Sequence, residues 1–170
     1  MSAVHPLAKI TVGVVVERSK SASQWSDYYW RPVSVLPGAP ETPPWTKLSD
    51  DGERASFYAG SADVELHRTE SVNYRENLQS GAPLLWVVLQ PTASDPPFKL
   101  ALVTADPAEG EAMTEAGVSL VDSVPMPVPM QDTIATFVAE HHVESVTFKR
   151  KRDRADPEAL ARRGPSVGHK

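Results

Sequence analysis

Four aromatic rings stand within six residues at Trp25, Tyr28, Tyr29 and Trp30, and Arg31 follows them directly. Rings at that density can stack a flat heterocycle, and a guanidinium beside them can pair with a phosphate. Trp25, Trp30 and Arg31 are therefore the candidate residues for binding a pterin or guanine-nucleotide cofactor. The competing use is structural. The chain has twelve aromatic residues in all, and aromatic side chains bury the most area per residue. If Tyr28 opens a strand, Tyr28 and Trp30 fall on one face and Tyr29 on the other. The expectation is that the core takes most of these rings.

The other candidate clusters are weaker. Glu140-His141-His142-Val143-Glu144 is the one histidine cluster, but a metal needs converging side chains. Adjacent histidines on a helix diverge by about 100°, so no metal site is expected. Asp106, Glu109, Glu111 and Glu115 gather at a helix start, where acidic groups complement the helix dipole; no catalytic partner is identifiable. The sequence contains neither GxGxxG nor GxxxxGK[ST], the phosphate loops, and no Gly-x-Ser-x-Gly nucleophile elbow. With no cysteine, disulfides, thiol nucleophiles and cysteine-bound metals are excluded.

Charge is unevenly spread. Residues 149–170 hold eight basic and three acidic side chains, a balance of +5, whereas residues 1–148 hold nine basic and nineteen acidic, a balance of −10. An acidic body repels nucleic acid. The basic arm has no interleaved aromatic residue to stack on bases. Protein docking is the better use for it, and Lys149, Arg150, Lys151, Arg152, Arg154, Leu160, Arg162 and Arg163 are its candidate partner-binding residues. Ile10–Val16 is too short, and its charges too poorly ordered, for a signal sequence. No stretch approaches the length of a membrane span. The expectation is a soluble cytoplasmic protein that engages neither nucleic acid nor membrane.

The elements that must position these groups read as mostly strand. Ile10–Val16 is β-branched and reads as a buried strand. Tyr28–Leu36 is a second strand, in which Pro32 requires an edge, a bulge or a strand start. Trp45–Ser49 and Arg54–Gly60 flank the hairpin signal Asp50-Asp51-Gly52-Glu53. Ala62–Thr69 alternates apolar and polar residues as a half-exposed strand. A short helix is expected over Glu70–Ser80, capped by Ser71 and ended by Gly81. Leu84–Gln90 is the most strand-like segment, with Phe98–Thr104 as its antiparallel partner. Asp106 as cap, Pro107 at the first helical position and Gly117 at the end define a helix, and a brief strand, Ser119–Val124, follows it. Val124–Met130, with proline at every second position, reads as extended. An amphipathic helix then covers Gln131–His142, with Ile134, Phe137, Val138 and His141 on one face. Val146–Phe148 reads as a last strand. Asp156-Pro157 and Gly164 bracket a short helix anchored only by Leu160, marginal in isolation. The spacing of turns suggests an antiparallel meander. The expected fold is α+β: a mostly antiparallel sheet or partial barrel with two to three helices, forming one domain over residues 1–148, and a basic C-terminal arm over 149–170.

Several segments together carry a family likeness: VGVVVER, WRPVSVLPG, YRENLQSGAPLLWVVL, TADPAEGEAMTEAG, VPMP and FVAEHHVE with KRKRDRADPEALARR. Their combination resembles a proteobacterial family of unknown function whose members are often labelled molybdopterin-guanine dinucleotide biosynthesis proteins of the A type. The resemblance spans nearly the whole chain and implies a setting near molybdenum-dependent formate dehydrogenases and their accessory proteins. It carries over no catalytic residue.

Three functions follow as expectations. The first is a non-enzymatic accessory protein in the maturation of a molybdenum enzyme, holding a protein partner through the basic arm and the Trp25–Arg31 edge. The second is a binding module for molybdopterin or a guanine nucleotide. The third is the transferase that the family label implies. It ranks last, because no glycine stands between Gly13 and Gly38 to build a phosphate loop after the first strand.

Overall fold

Valine at every second position, Val12, Val14 and Val16, turns one face of the first strand wholly inward, each side chain being fully buried. That alternation continues beyond the apolar run, and strand β1 covers Ala8–Lys20. The computed structural model describes residues 5–21 and 28–141. After β1 come β2 (Tyr28–Pro37), β3 (Thr46–Asp50), β4 (Arg54–Leu66), α1 (Ser71–Leu78), β5 (Leu84–Pro91), β6 (Phe98–Thr104), α2 (Pro107–Ala116) and β7 (Leu120–Pro125). Helix α3 occupies 128–141. The class is α+β, mostly strand, in two antiparallel sheets that do not close into a barrel.

The larger sheet has the order β2-β1-β4-β3 and the smaller β6-β5-β7. A simple meander would have placed β1 at an edge. Instead β1 is central and pairs with β4 over twelve positions, from Ala8 opposite Leu66 to Ser19 opposite Arg54. The segments expected as two strands, Arg54–Gly60 and Ala62–Thr69, are one strand because Gly60 does not break it. The register slips between Val14 and Val15, and Gly60 takes a positive φ of 128° there, the bulge use of glycine. Pro32 is accommodated as its chemistry demands, on an edge strand where the β1–β2 register also shifts.

Both sheets contribute to one core. Val12, Val14, Val16, Val35, Val64 and Leu66 come from the larger sheet, and Leu85, Val87, Leu89, Val103 and Val124 from the smaller. Helix α3 adds Ile134, Phe137 and Val138 of the stripe its periodicity predicts, and Met130 as well; His141, the fourth of that stripe, lies against the Phe137 ring. The helix begins earlier than its prolines suggest. Val128-Pro129-Met130 is its first turn, where a proline loses no hydrogen bond, and the Pro127 carbonyl accepts from the amides of Met130 and Gln131 at 3.0 and 3.1 Å.

The two shorter helices serve the smaller sheet. Asp106 caps α2 by accepting from the Ala108 amide at 2.9 Å, and Gly117 ends it at φ 71°. Helix α1 starts at Ser71 itself, without a side-chain cap, so Ser71 is its first residue. The buried Asn77 ties α1 to β5: its Nδ2 donates to the Leu84 and Ala105 carbonyls at 2.8 and 3.0 Å, and its Oδ1 accepts from the Leu84 amide at 2.9 Å. Among the described residues no helix is long and apolar enough to cross a membrane.

Candidate functional site

The inward face of β1 does not end with Val16. Two residues on, Arg18 occupies the same face, opposite Trp30 of β2 and Ala55 of β4. Its guanidinium carbon lies 4.4 Å from the Tyr28 ring centre, 5.3 Å from that of Phe57 and 5.9 Å from that of Trp30. Asp50 at the hairpin approaches it to 3.9 Å. The Arg18 Nε is buried without a hydrogen-bond partner. A cation so placed closes the end of the core, lying against ring faces while its side chain stays partly exposed.

Trp30 is the hub of this end. Its ring centre is 5.6 Å from Phe57, 6.0 Å from Phe98, 6.3 Å from Trp45 and 6.5 Å from Tyr28. Phe98 belongs to β6, so the cluster joins the two sheets. Arg31, one residue on, falls on the outer face, where its Nε is 4.0 Å from Glu17. The proposed neighbours Trp30 and Arg31 are thus not brought together, because strand alternation turns them apart. Arg18 holds the place beside the rings, and the signal for it was present: it extends the series Val12, Val14, Val16. Tyr29, with 56% of its surface exposed, shares the outer face with Arg31. Trp25 lies outside the described residues, as do the arm residues Lys149, Arg150, Lys151, Arg152, Arg154, Leu160, Arg162 and Arg163, His142, and the expected strand over Val146–Phe148.

The hairpin beside Arg18 is held by its own aspartates. Asp51 Oδ1 accepts from the amides of Glu53 and Arg54 at 2.9 and 2.8 Å, and the Arg54 bond is the chief reason its carboxyl titrates below the usual range. Asp50 is lowered too, first by its hydrogen bond from Lys47 and then by that from the Gly52 amide.

A cleft lies elsewhere, along the seam between β4 and β6. It encloses about 340 Å³ and is lined by Ser61, Asp63, Glu65 and His67 of the β4 side, Leu100–Thr104 of β6, and Glu109 of α2. Strand β3 pairs with β4 only as far as Tyr58, so the later half of β4 has one neighbour, β1. Strand β6 is the outer strand of the smaller sheet. The cleft is therefore bounded by two strand edges that run alongside without laddering. Asp63 accepts from Thr11 Oγ1 at 2.7 Å, and His67 Nε2 is 3.3 Å from Glu65 Oε1. Tyr74 of α1 stands at one end, its hydroxyl accepting from the His67 amide at 2.9 Å and donating to the Glu65 carbonyl at 3.5 Å. Burial pushes its phenol up to about 12, so it remains a neutral donor at every physiological pH. Among the described residues no cluster of histidine and carboxylates is arranged to hold a metal.

A family model described as "Protein of unknown function (DUF3305)" matches residues 11–152. No curated protein and no solved structure matches the chain.

Proposed function

Taking as premise that the chain belongs to this family of proteins of unknown function, DUF3305, we propose that it is a non-catalytic accessory protein that grips another protein. The setting we assign is the maturation of a molybdenum-dependent enzyme such as formate dehydrogenase, and it rests on the sequence resemblance. The observation that carries the reading is the division of labour on β2. Trp30 turns inward and is spent on the aromatic end of the core, while Tyr29 and Arg31 are presented together on the outer face. Tyrosine and arginine are the residues that most often anchor protein interfaces. The basic arm, set against a body of opposite charge, supplies a second point of attachment.

The test uses the full chain and the apo form of a molybdenum-dependent formate dehydrogenase catalytic subunit as probe. Replacing Tyr29→Ala with Arg31→Ala, or neutralising Lys149, Arg150, Lys151 and Arg152 to alanine, should each weaken binding about tenfold or more. Retained affinity in both variants would remove the reading. The rival cofactor-binding reading, with Trp25, Trp30 and Arg31 as its residues, makes the opposite forecast in a simpler assay. On the accessory reading a saturating pterin or guanine nucleotide leaves tryptophan emission unchanged; quenching that Arg31→Ala abolishes would put the ligand module in place of the accessory protein.

A further inference from the structure

The turn that joins β3 to β4 contains the sequence's single Asp-Gly step, Asp51-Gly52. In an open chain such a pair rearranges by itself. The glycine amide nitrogen attacks the aspartate side-chain carbon Cγ, and the carboxyl hydroxyl leaves with the amide proton as water. Glycine permits this because no side chain obstructs the approach. Water then opens the five-membered succinimide at either carbonyl. One opening restores aspartate. The other leaves isoaspartate, with the main chain running through Cβ and Cγ. The net change is an isomerisation that consumes no co-reactant.

The folded hairpin ties down both reacting groups. The Gly52 amide donates to Asp50 Oδ1 at 3.0 Å, so the attacking nitrogen is engaged by a different carboxylate. Asp51 Oδ1 accepts from the Glu53 and Arg54 amides at 2.9 and 2.8 Å, which fixes its carboxylate on amides beyond Gly52. The same two bonds favour the ionised form, and a carboxylate without a neutral hydroxyl to lose resists attack at carbon. The Asp51 amide closes the turn on the Arg54 carbonyl at 3.0 Å. Asp50 is anchored in its own right, by Lys47 Nζ at 2.8 Å and by Arg18 at 3.9 Å. Isoaspartate adds one carbon to the main chain within this turn. The bonds at Asp51 then cannot all be remade, and Asp50 is drawn away from Arg18 and the aromatic end of the core.

We propose that Asp51 is a latent isoaspartate site, held unreactive by the closed β3–β4 hairpin, with Asp50 as the guard on the Gly52 nitrogen. Conversion then follows opening of the hairpin and marks chains in which this end of the larger sheet has come undone. The test ages the full chain at one mildly acidic pH and one temperature and follows the tryptic peptide Leu48–Arg54. Chromatography separates its isomers, and fragmentation between residues 51 and 52 locates the change. Folded wild type should convert about tenfold more slowly, or slower still, than the same chain unfolded in guanidinium chloride, because reaction waits on local opening. In the folded protein Asp50→Ala should raise the rate about threefold or more, whereas Asp50→Ser, whose hydroxyl can still accept from the Gly52 amide, should stay near wild type. Both variants lose the contacts to Lys47 and Arg18, so the difference between them reads the bond to Gly52. Equal rates in folded and unfolded wild type would overturn the proposal. Equal rates in the two variants would overturn the role given to Asp50. Should either variant fail to fold, the wild-type comparison, which needs no substitution, decides alone.

Discussion

Arg18 shows how one charged side chain can finish a core. Its position was legible in the alternation of β1, yet a charged residue after an apolar run reads naturally as the chain's exit into water. What the sequence does not display is that Tyr28, Trp30 and Phe57, from two other strands, assemble around it. The energetics set two terms against each other. The ring contacts contribute about 0.5–2 kcal/mol, while a buried Nε without a partner costs on the order of 1–3 kcal/mol. Much of the residue's value is then its stem, packed among the rings. Arg18→Met should therefore lie within about 1 kcal/mol of wild type by denaturant unfolding, whereas Arg18→Ala, which removes the stem from among the rings, should lose about 2 kcal/mol. Equal losses in the two variants would locate the stabilisation in the charge.

At the scale of elements, legibility follows how local the determinants are. Helix α2 was readable at both ends because Asp106, Pro107 and Gly117 act within one turn of themselves. Two strands were inferred where β4 is single, since a glycine at a bulge and a glycine at a break look alike until the partner strand is known. The prolines before α3 misled for a similar reason: Pro129 is unwelcome inside a helix and harmless in its first turn. Gly110 is the sharpest case of a tertiary cause hidden in a local signal. Read along the chain it is a defect in α2, about 1 kcal/mol less favourable than alanine. In the fold a Cβ at that position would run into the Trp86 indole on the outer face of β5. Gly110→Ala should accordingly lower stability, by about 1–2 kcal/mol, against the direction that helix propensity alone dictates. A rise in melting temperature would show that Trp86 yields the space freely.

The whole molecule is two sheets sharing one core but meeting along seams, and this long-range arrangement was the least legible feature. Asp63, Glu65 and His67 were recognisable as the polar face of a half-exposed strand; that β6 and Glu109 lie across from them is written in no local pattern. Sheets joined by side chains rather than by a continuous ladder depend on what spans them, and α3 is central to that. Ile134 is fully buried in the same cluster as Val12 and Val64 of the larger sheet and Leu85 and Val87 of the smaller. Removing three of its carbons should cost about 2–5 kcal/mol, a large share of the 5–15 kcal/mol typical of a domain. Among the described tryptophans, Trp30 sits where the two sheets meet, against Phe98, and Trp86 lies on the smaller sheet. If the core is one cooperative unit, Ile134→Ala shifts the fluorescence and far-ultraviolet dichroism transitions together, to the same lower denaturant midpoint. A variant in which the two signals part would mean that α3 stabilises one sheet only, and that the seams let the other melt by itself.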